Sequence, residues 1–219
     1  MATILCIETA TTNCSVAISV AGKIVAFKED NNNKYSHAEN LHVFIEEVLA
    51  KATIQKSDLQ AVAVSKGPGS YTGLRIGVSA AKGLCFALDI PLLSIPTLEA
   101  LAYQVLEKDG LIIPMLDARR MEVYSAVFSS DKKEVRKTEA QILDDSSFLE
   151  YLEKGKVYFL GDGVEKFKNI CTHKNAVFIE NKLPSAIQMG FLAEIKYKRN
   201  DIEDVAYFEP YYLKDFVTG

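Results

Sequence analysis

Apolar and polar positions follow two different periods along the 219-residue chain, and the switches between them mark its elements. Thr3 to Ile7 is an apolar run that predicts a buried strand, and Glu8 to Asn13 is the polar turn after it. Cys14, Val16, Ile18 and Val20 then alternate with Ser15, Ala17 and Ser19, the two-residue period of a strand. Ala21-Gly22 turns the chain, and Lys23 to Glu29 returns as a third strand. After a polar loop, Ser36 and Glu39 have the spacing of a capping box. Ala38, Leu41, Ile45, Val48 and Ala52 follow as one stripe at helical spacing, with Val43 and Phe44 off it. Ala61 to Val64 predicts a strand, an apolar stretch reaching Leu88 a helix, Pro91 to Ile95 a strand and Pro96-Thr97 the start of another helix. Residues 1–107 thus predict the order β-β-β-α-β-α-β-α.

The second half repeats that plan. Leu111 to Leu116 predicts a strand ending at Asp117-Ala118-Arg119-Arg120, and Glu122 to Phe128 the next, with Ser129 to Asp131 as a turn. Asp145-Ser146-Ser147 can cap a helix through Leu152, and Val157 to Leu160 is a strand running into Gly161-Asp162-Gly163. Pro184-Ser185 opens a last helix, and the aromatic tail from Phe208 to Leu213 is expected to pack back on the body. A three-stranded meander followed by alternating helices and parallel strands is the arrangement of the ribonuclease-H-like fold of actin-like proteins. The expectation is an α/β, two-lobed actin-like chain with lobes at 1–107 and 108–219, the final helix being able to reach the first lobe.

The least ordinary stretch is Ser65 to Gly77, which joins a strand to a helix through Gly67-Pro68-Gly69. Ser70 or Thr72 can cap that helix. Gly73, Gly77 and Gly83 inside it cost about 1 kcal/mol each against alanine, so something must come close. Gly73, Gly77 and Ala81 stand at i, i+4 and i+8, on one face. Three occupants of that face are open: a helix, including one from another chain; the protein's own sheet; or an anion at the helix N-terminus, with Arg75 to hold it. The last is the weakest, because the spacing is not that of a phosphate-binding loop.

Composition removes several functions. Hydrophobic residues make up 48 %, enough for a substantial core, and a formal net charge of -4 argues against a broad nucleic-acid-binding face. No apolar run approaches the roughly 18 residues that span a membrane, and no signal segment is evident, so a cytoplasmic location is expected. Cys6, Cys14, Cys85 and Cys171 lack paired spacing and read as reduced thiols. His37 and His42 are five apart, which is not the spacing of a zinc-binding helix.

Glu8 and Asp117 end equivalent strands in the two halves, where an actin-like phosphotransferase would need acids beside phosphate-binding glycines. In the first half Thr9, Thr11 and Thr12 stand in place of those glycines. Glu8, Thr9, Thr11, Asp117, Gly161, Asp162 and Gly163 are therefore only weak nucleotide-binding candidates, for an alternative reading as an ATP-binding phosphotransferase. No catalytic constellation, metal site or cofactor is expected.

Gly67-Pro-Gly-Ser-Tyr-Thr-Gly-Leu-Arg-Ile-Gly77 closely resembles the signature of the bacterial TsaB (YeaZ) family, with Tyr71 where phenylalanine is commoner. Asp117-Ala-Arg-Arg-Met-Glu-Val-Tyr124, Ile4-Leu-Cys-Ile-Glu-Thr9 and Pro210-Tyr-Tyr-Leu213 extend the resemblance end to end, although many members have aspartate at Glu8. The resemblance implies a non-catalytic subunit for threonylcarbamoyladenosine synthesis at tRNA adenosine 37. Its implied partners are the TsaD transferase paralogue and the TsaE ATPase, with homodimers through the same surface and only indirect contact with tRNA. A glycoprotease-like peptidase is a further alternative that the family's classification raises. The implied interface is the helix from Ser36 to Ala52 with the helix from Thr72 to Leu88. Its expected contact residues are Ser36, His37, Leu41, Phe44, Ile45 and Val48 on the first, and Thr72, Gly73, Arg75, Ile76, Gly77, Ala80, Ala81 and Leu84 on the second. On this reading Gly77→Leu abolishes the complex and spares the fold.

Overall fold

A computed structural model describes residues 1–31 and 37–214. The expected capping residue Ser36, with the loop before it, lies outside the described residues. The chain forms two compact units, Met1–Ala100 with Pro184 onward, and Leu101–Leu183. The segment after Leu183, which the sequence plan counts with the second lobe, packs in the first unit.

In the first unit the strands β1 (Thr3–Glu8), β2 (Cys14–Val20) and β3 (Lys23–Asp30) form the meander. Helix α1 (His37–Ala52), β4 (Ala61–Gly67), α2 (Tyr71–Leu88) and β5 (Leu92–Pro96) follow, and α3 (Thr97–Ala102) begins at its end. The sheet order is β3-β2-β1-β4-β5, with β1 antiparallel to β2 and parallel to β4. One sheet face is covered by α1 and α2: Leu5, Ile7, Val16, Ile18, Val62 and Val64 pack there with Leu41, Phe44, Ile45, Val78 and Ala81.

The second unit contains β6 (Leu111–Asp117), β7 (Glu122–Ser129), β8 (Glu134–Ile142), α4 (Leu149–Leu152), β9 (Val157–Leu160), α5 (Val164–Lys168) and β10 (Ala176–Ile179). Its order, β10-β9-β6-β7-β8, is the same topology: meander, then two parallel strands on the other side of the first. Each unit is a ribonuclease-H-like sheet, and the pair makes the chain an actin-like α/β protein. Phe148, Phe159, Phe167 and Phe178 form the aromatic centre of the second unit's core.

The last helix, α6 (Ala186–Lys198), starts where expected: the Ser185 hydroxyl accepts from the Ile187 N–H at 3.2 Å. It lies on the sheet of the first unit, where Gly190 leaves no room for a side chain against Ser19 and Ile24.

Candidate partner-docking groove

The turn after β1 is wedged under the start of α2. Thr9 is fully buried, and its hydroxyl donates to the Gly73 carbonyl at 2.8 Å. A Cβ at position 73 would collide with the Thr9 carbonyl, and one at 77 with the Thr9 hydroxyl. A Cβ at 69 would stand 2.5 Å from the Ala10 carbonyl, which accepts from the Ser70 N–H at 2.7 Å. The Ser70 hydroxyl accepts from Gly73 N–H and caps the helix. Three of the signature glycines therefore admit the chain's own turn.

This corrects the interface reading of the small-residue face. Gly73 and Gly77 are spent on Thr9, and Ala81 lies in the core with Leu41, Phe44, Ile45 and Val48. His37 is also buried; its Nε2 donates to the Thr11 carbonyl at 2.7 Å and ties α1 to the same turn. None of these eight expected contact residues is on the surface. Periodicity identified the face of α2 correctly, but spacing within a helix cannot tell what abuts it.

Glu8 closes the bottom of the turn. One carboxyl oxygen, Oε1, accepts from the Ala10 N–H at 2.6 Å and the Ser65 hydroxyl at 2.7 Å. The other, Oε2, has no hydrogen-bond partner among the described residues. Burial pushes this carboxyl up to about 7, against the opposing pull of those two hydrogen bonds. With Thr9 and Thr11 also buried, the nucleotide candidates of the first unit are packed structure rather than an open phosphate site.

The candidates of the second unit do come together. The Asp117 N–H donates to Asp162 Oδ1 at 2.9 Å, Asp117 Oδ2 pairs with Lys166 at 3.0 Å, and Asp117 Oδ1 accepts from the Arg119 N–H. Desolvation holds the Asp162 carboxyl above the ordinary carboxylate range. Gly161, at φ +113°, leaves no space for a Cβ against the Met115 carbonyl, and Gly163 packs against Val123. Both glycines fit the β9–α5 turn to its neighbours, and both acids are tied into the same turn.

What remains open is a groove between α1 and α2 of about 590 Å³, lined by Ala38, His42, Arg75, Ile76, Ser79, Ala80, Gly83 and Leu84. Arg75, Ile76, Ala80 and Leu84 were expected at an interface from the sequence; Ala38, His42, Ser79 and Gly83 were not. Thr72 is exposed on the same helix. A Cβ at Gly83 would meet nothing within 4 Å, so this glycine is required by nothing inside the unit. Ser79 and Gly83 continue one helical turn later to Phe86, whose ring is 86 % exposed. Among the described residues no acid lines the groove.

Comparison with known proteins places this geometry in a family. Residues 31–216 match the family model described as TsaD: tRNA N6-adenosine threonylcarbamoyltransferase. A protein of Buchnera aphidicola subsp. Schizaphis graminum named tRNA threonylcarbamoyladenosine biosynthesis protein TsaB is 34 % identical over 82 % of this chain and 85 % of its own. The chain belongs to the TsaB family. The Haemophilus influenzae member is 28 % identical over 99 % of this chain and 95 % of its own. The solved structure of YeaZ from Pseudomonas aeruginosa, 24 % identical, superposes with a TM-score of 0.81 over 97 % of this chain and all of that one, and shares the fold. Among the described residues no helix is long and apolar enough to cross a membrane, and no group of three His, Cys, Asp or Glu side chains could hold a metal ion.

Proposed function

We propose that this chain is a non-catalytic subunit of tRNA threonylcarbamoyladenosine biosynthesis, and that it docks on a TsaD-family transferase through the α1–α2 groove. The names of its relatives give the pathway, and the match to the transferase's own family model makes a paralogous partner of the same fold the natural occupant. The observation that carries the reading is the division of α2: its inner face is filled by the Thr9 turn, and its outer face, largely apolar, is covered by no acid and no other element among the described residues. A cleft between two helices suits a third helix laid into it. The same face makes homodimers when the transferase is absent, and TsaE joins the assembled pair. Contact with tRNA is indirect, as the net charge of -4 favours, and the complex works in the cytoplasm.

Calorimetric titration with the TsaD-family transferase of the same organism tests this. Wild type binds; Gly83→Arg, which places a long charged side chain in the groove where no atom of the unit stands, folds normally and loses binding. Equal affinity of the two removes the reading.

A further inference from the structure

Among the described residues that line the groove, Arg75 is the one side chain of fixed charge, and the structure holds it in a set orientation. Its guanidinium lies over the Tyr71 ring, 4.2 Å from the centroid, and its Nε donates to the Tyr212 hydroxyl at 3.2 Å. The rings of Tyr71 and Tyr212 are themselves 4.8 Å apart. Tyr212 is brought there by the segment after α6, which is fastened along its length. Glu203 N–H bonds to the Leu92 carbonyl at 2.9 Å, and Tyr211 N–H to the Lys66 carbonyl at 2.7 Å. Lys82 donates to the carbonyls of Ala206 and Phe208 at 3.1 and 3.0 Å.

A guanidinium stacked on one ring and bonded through Nε keeps both terminal nitrogens available, and their fork matches the two oxygens of a carboxylate. Among the described residues no acid forms an ion pair with Arg75; Glu209 acts on it only through space. We infer that Arg75 is a pre-oriented carboxylate receptor that takes an Asp or Glu side chain of the helix entering the groove, with Tyr71 and Tyr212 as its positioning residues. This rests on the docking reading above. A nucleic-acid phosphate is the poorer fit: Ala38, Ile76, Ala80 and Leu84 make the surroundings apolar, and the chain carries a net charge of -4. Once docked, the pair is shielded from water, where a charge-assisted bidentate contact contributes far more than at an open surface.

The experiment is titration of the same transferase with wild type, Gly83→Arg, Arg75→Ala, Arg75→Lys, Tyr212→Phe and the Arg75→Ala/Tyr212→Phe double variant, at low and high salt. Arg75→Ala is expected to weaken binding on the order of 30-fold and to flatten its salt dependence. Arg75→Lys restores the charge but not the fork, and recovers only part of the affinity. Tyr212→Phe costs about three- to tenfold, and costs nothing further in the Arg75→Ala background, because it acts through Arg75. If Gly83→Arg abolishes binding and Arg75→Ala does not change it, this inference falls and the docking reading stands. If Gly83→Arg binds like wild type, the docking reading itself falls and takes the inference with it. Additive losses in the double variant overturn the positioning role. A loss of tRNA affinity by Arg75→Ala with the transferase affinity unchanged overturns the carboxylate assignment in favour of phosphate.

Discussion

The inner and outer faces of α2 use the same small residues for opposite ends. On the inner face, Gly73 and Gly77 are glycine because the Thr9 turn occupies the space of their side chains. On the outer face, Gly83 has nothing within 4 Å of where its side chain would begin. Glycine at the first two positions is a requirement of the fold; at the third it keeps a groove wide. A glycine-rich helix is thus neither a docking surface nor a packing surface as a whole, and the two uses separate by face.

The largest expected effect is on the inner face. Gly77→Leu drives several atoms into the Thr9 hydroxyl and the turn behind it, and should cost upwards of about 4 kcal/mol, enough to unfold many domains of this size. Urea denaturation followed by circular dichroism measures it. This reverses the expectation that the same variant spares the fold.

Next in size is the groove itself. Gly83→Arg should lower transferase affinity at least about 100-fold, or roughly 2.7 kcal/mol, with the melting temperature equal to or above that of wild type because the helix interior loses a glycine. A drop in thermal stability with affinity retained would place Gly83 on the fold side of the division.

A comparable but pH-dependent effect belongs to the turn under the inner face. Glu8 rises from 4.5 to about 7 on folding, so between those values the folded chain holds a proton that the unfolded chain has lost. Stability from this group is complete below about pH 4.5 and declines as pH rises towards 7, by on the order of 3 kcal/mol in all. Glu8→Gln keeps the hydrogen-bond acceptor and removes the titration. Its stability should match wild type near pH 4.5 and exceed it at pH 8, measured as the difference between the two melting curves. An unchanged difference across that range contradicts the assignment.

The smallest effect is Gly83→Ala, which should stabilise the chain by about 1 kcal/mol through helix propensity alone, because no contact is gained or lost in the unit. Gly73→Ala, the same change on the inner face, should destabilise it. The opposite signs of one chemical substitution are the sharpest form of the comparison.

Much of this was legible beforehand. Alternation in Cys14 to Val20, the stripe of α1 and the repeated strand–turn–strand plan give the topology of both units, and Ser185 marks the start of α6. The edge strand β8 escapes the pattern because its residues are mostly polar and exposed or half-buried, and Arg136 on it is held by Ser125 and Gln141 rather than by solvent. The four-residue β10, Ala-Val-Phe-Ile, is apolar but too short to show a period. The site was half legible. Arg75, Ile76, Ala80 and Leu84, expected at a partner interface, line the groove. The buried eight misled because burial and partner contact both favour apolar and small residues at helical spacing, and the deciding neighbour, Thr9, is 64 residues from Gly73. Nothing local in the sequence joins Tyr212 to Arg75, which are 137 residues apart.

The measurement that tests the division most directly is a paired one, with Gly77→Leu and Gly83→Arg each assayed for folding by thermal melting and for transferase binding by calorimetry. Gly77→Leu is expected to fail to fold, and Gly83→Arg to melt at or above the wild-type temperature but no longer to bind. A Gly77→Leu chain with a native melting curve and lost binding, beside a Gly83→Arg chain that binds normally, would put the docking surface on the inner face and contradict that division.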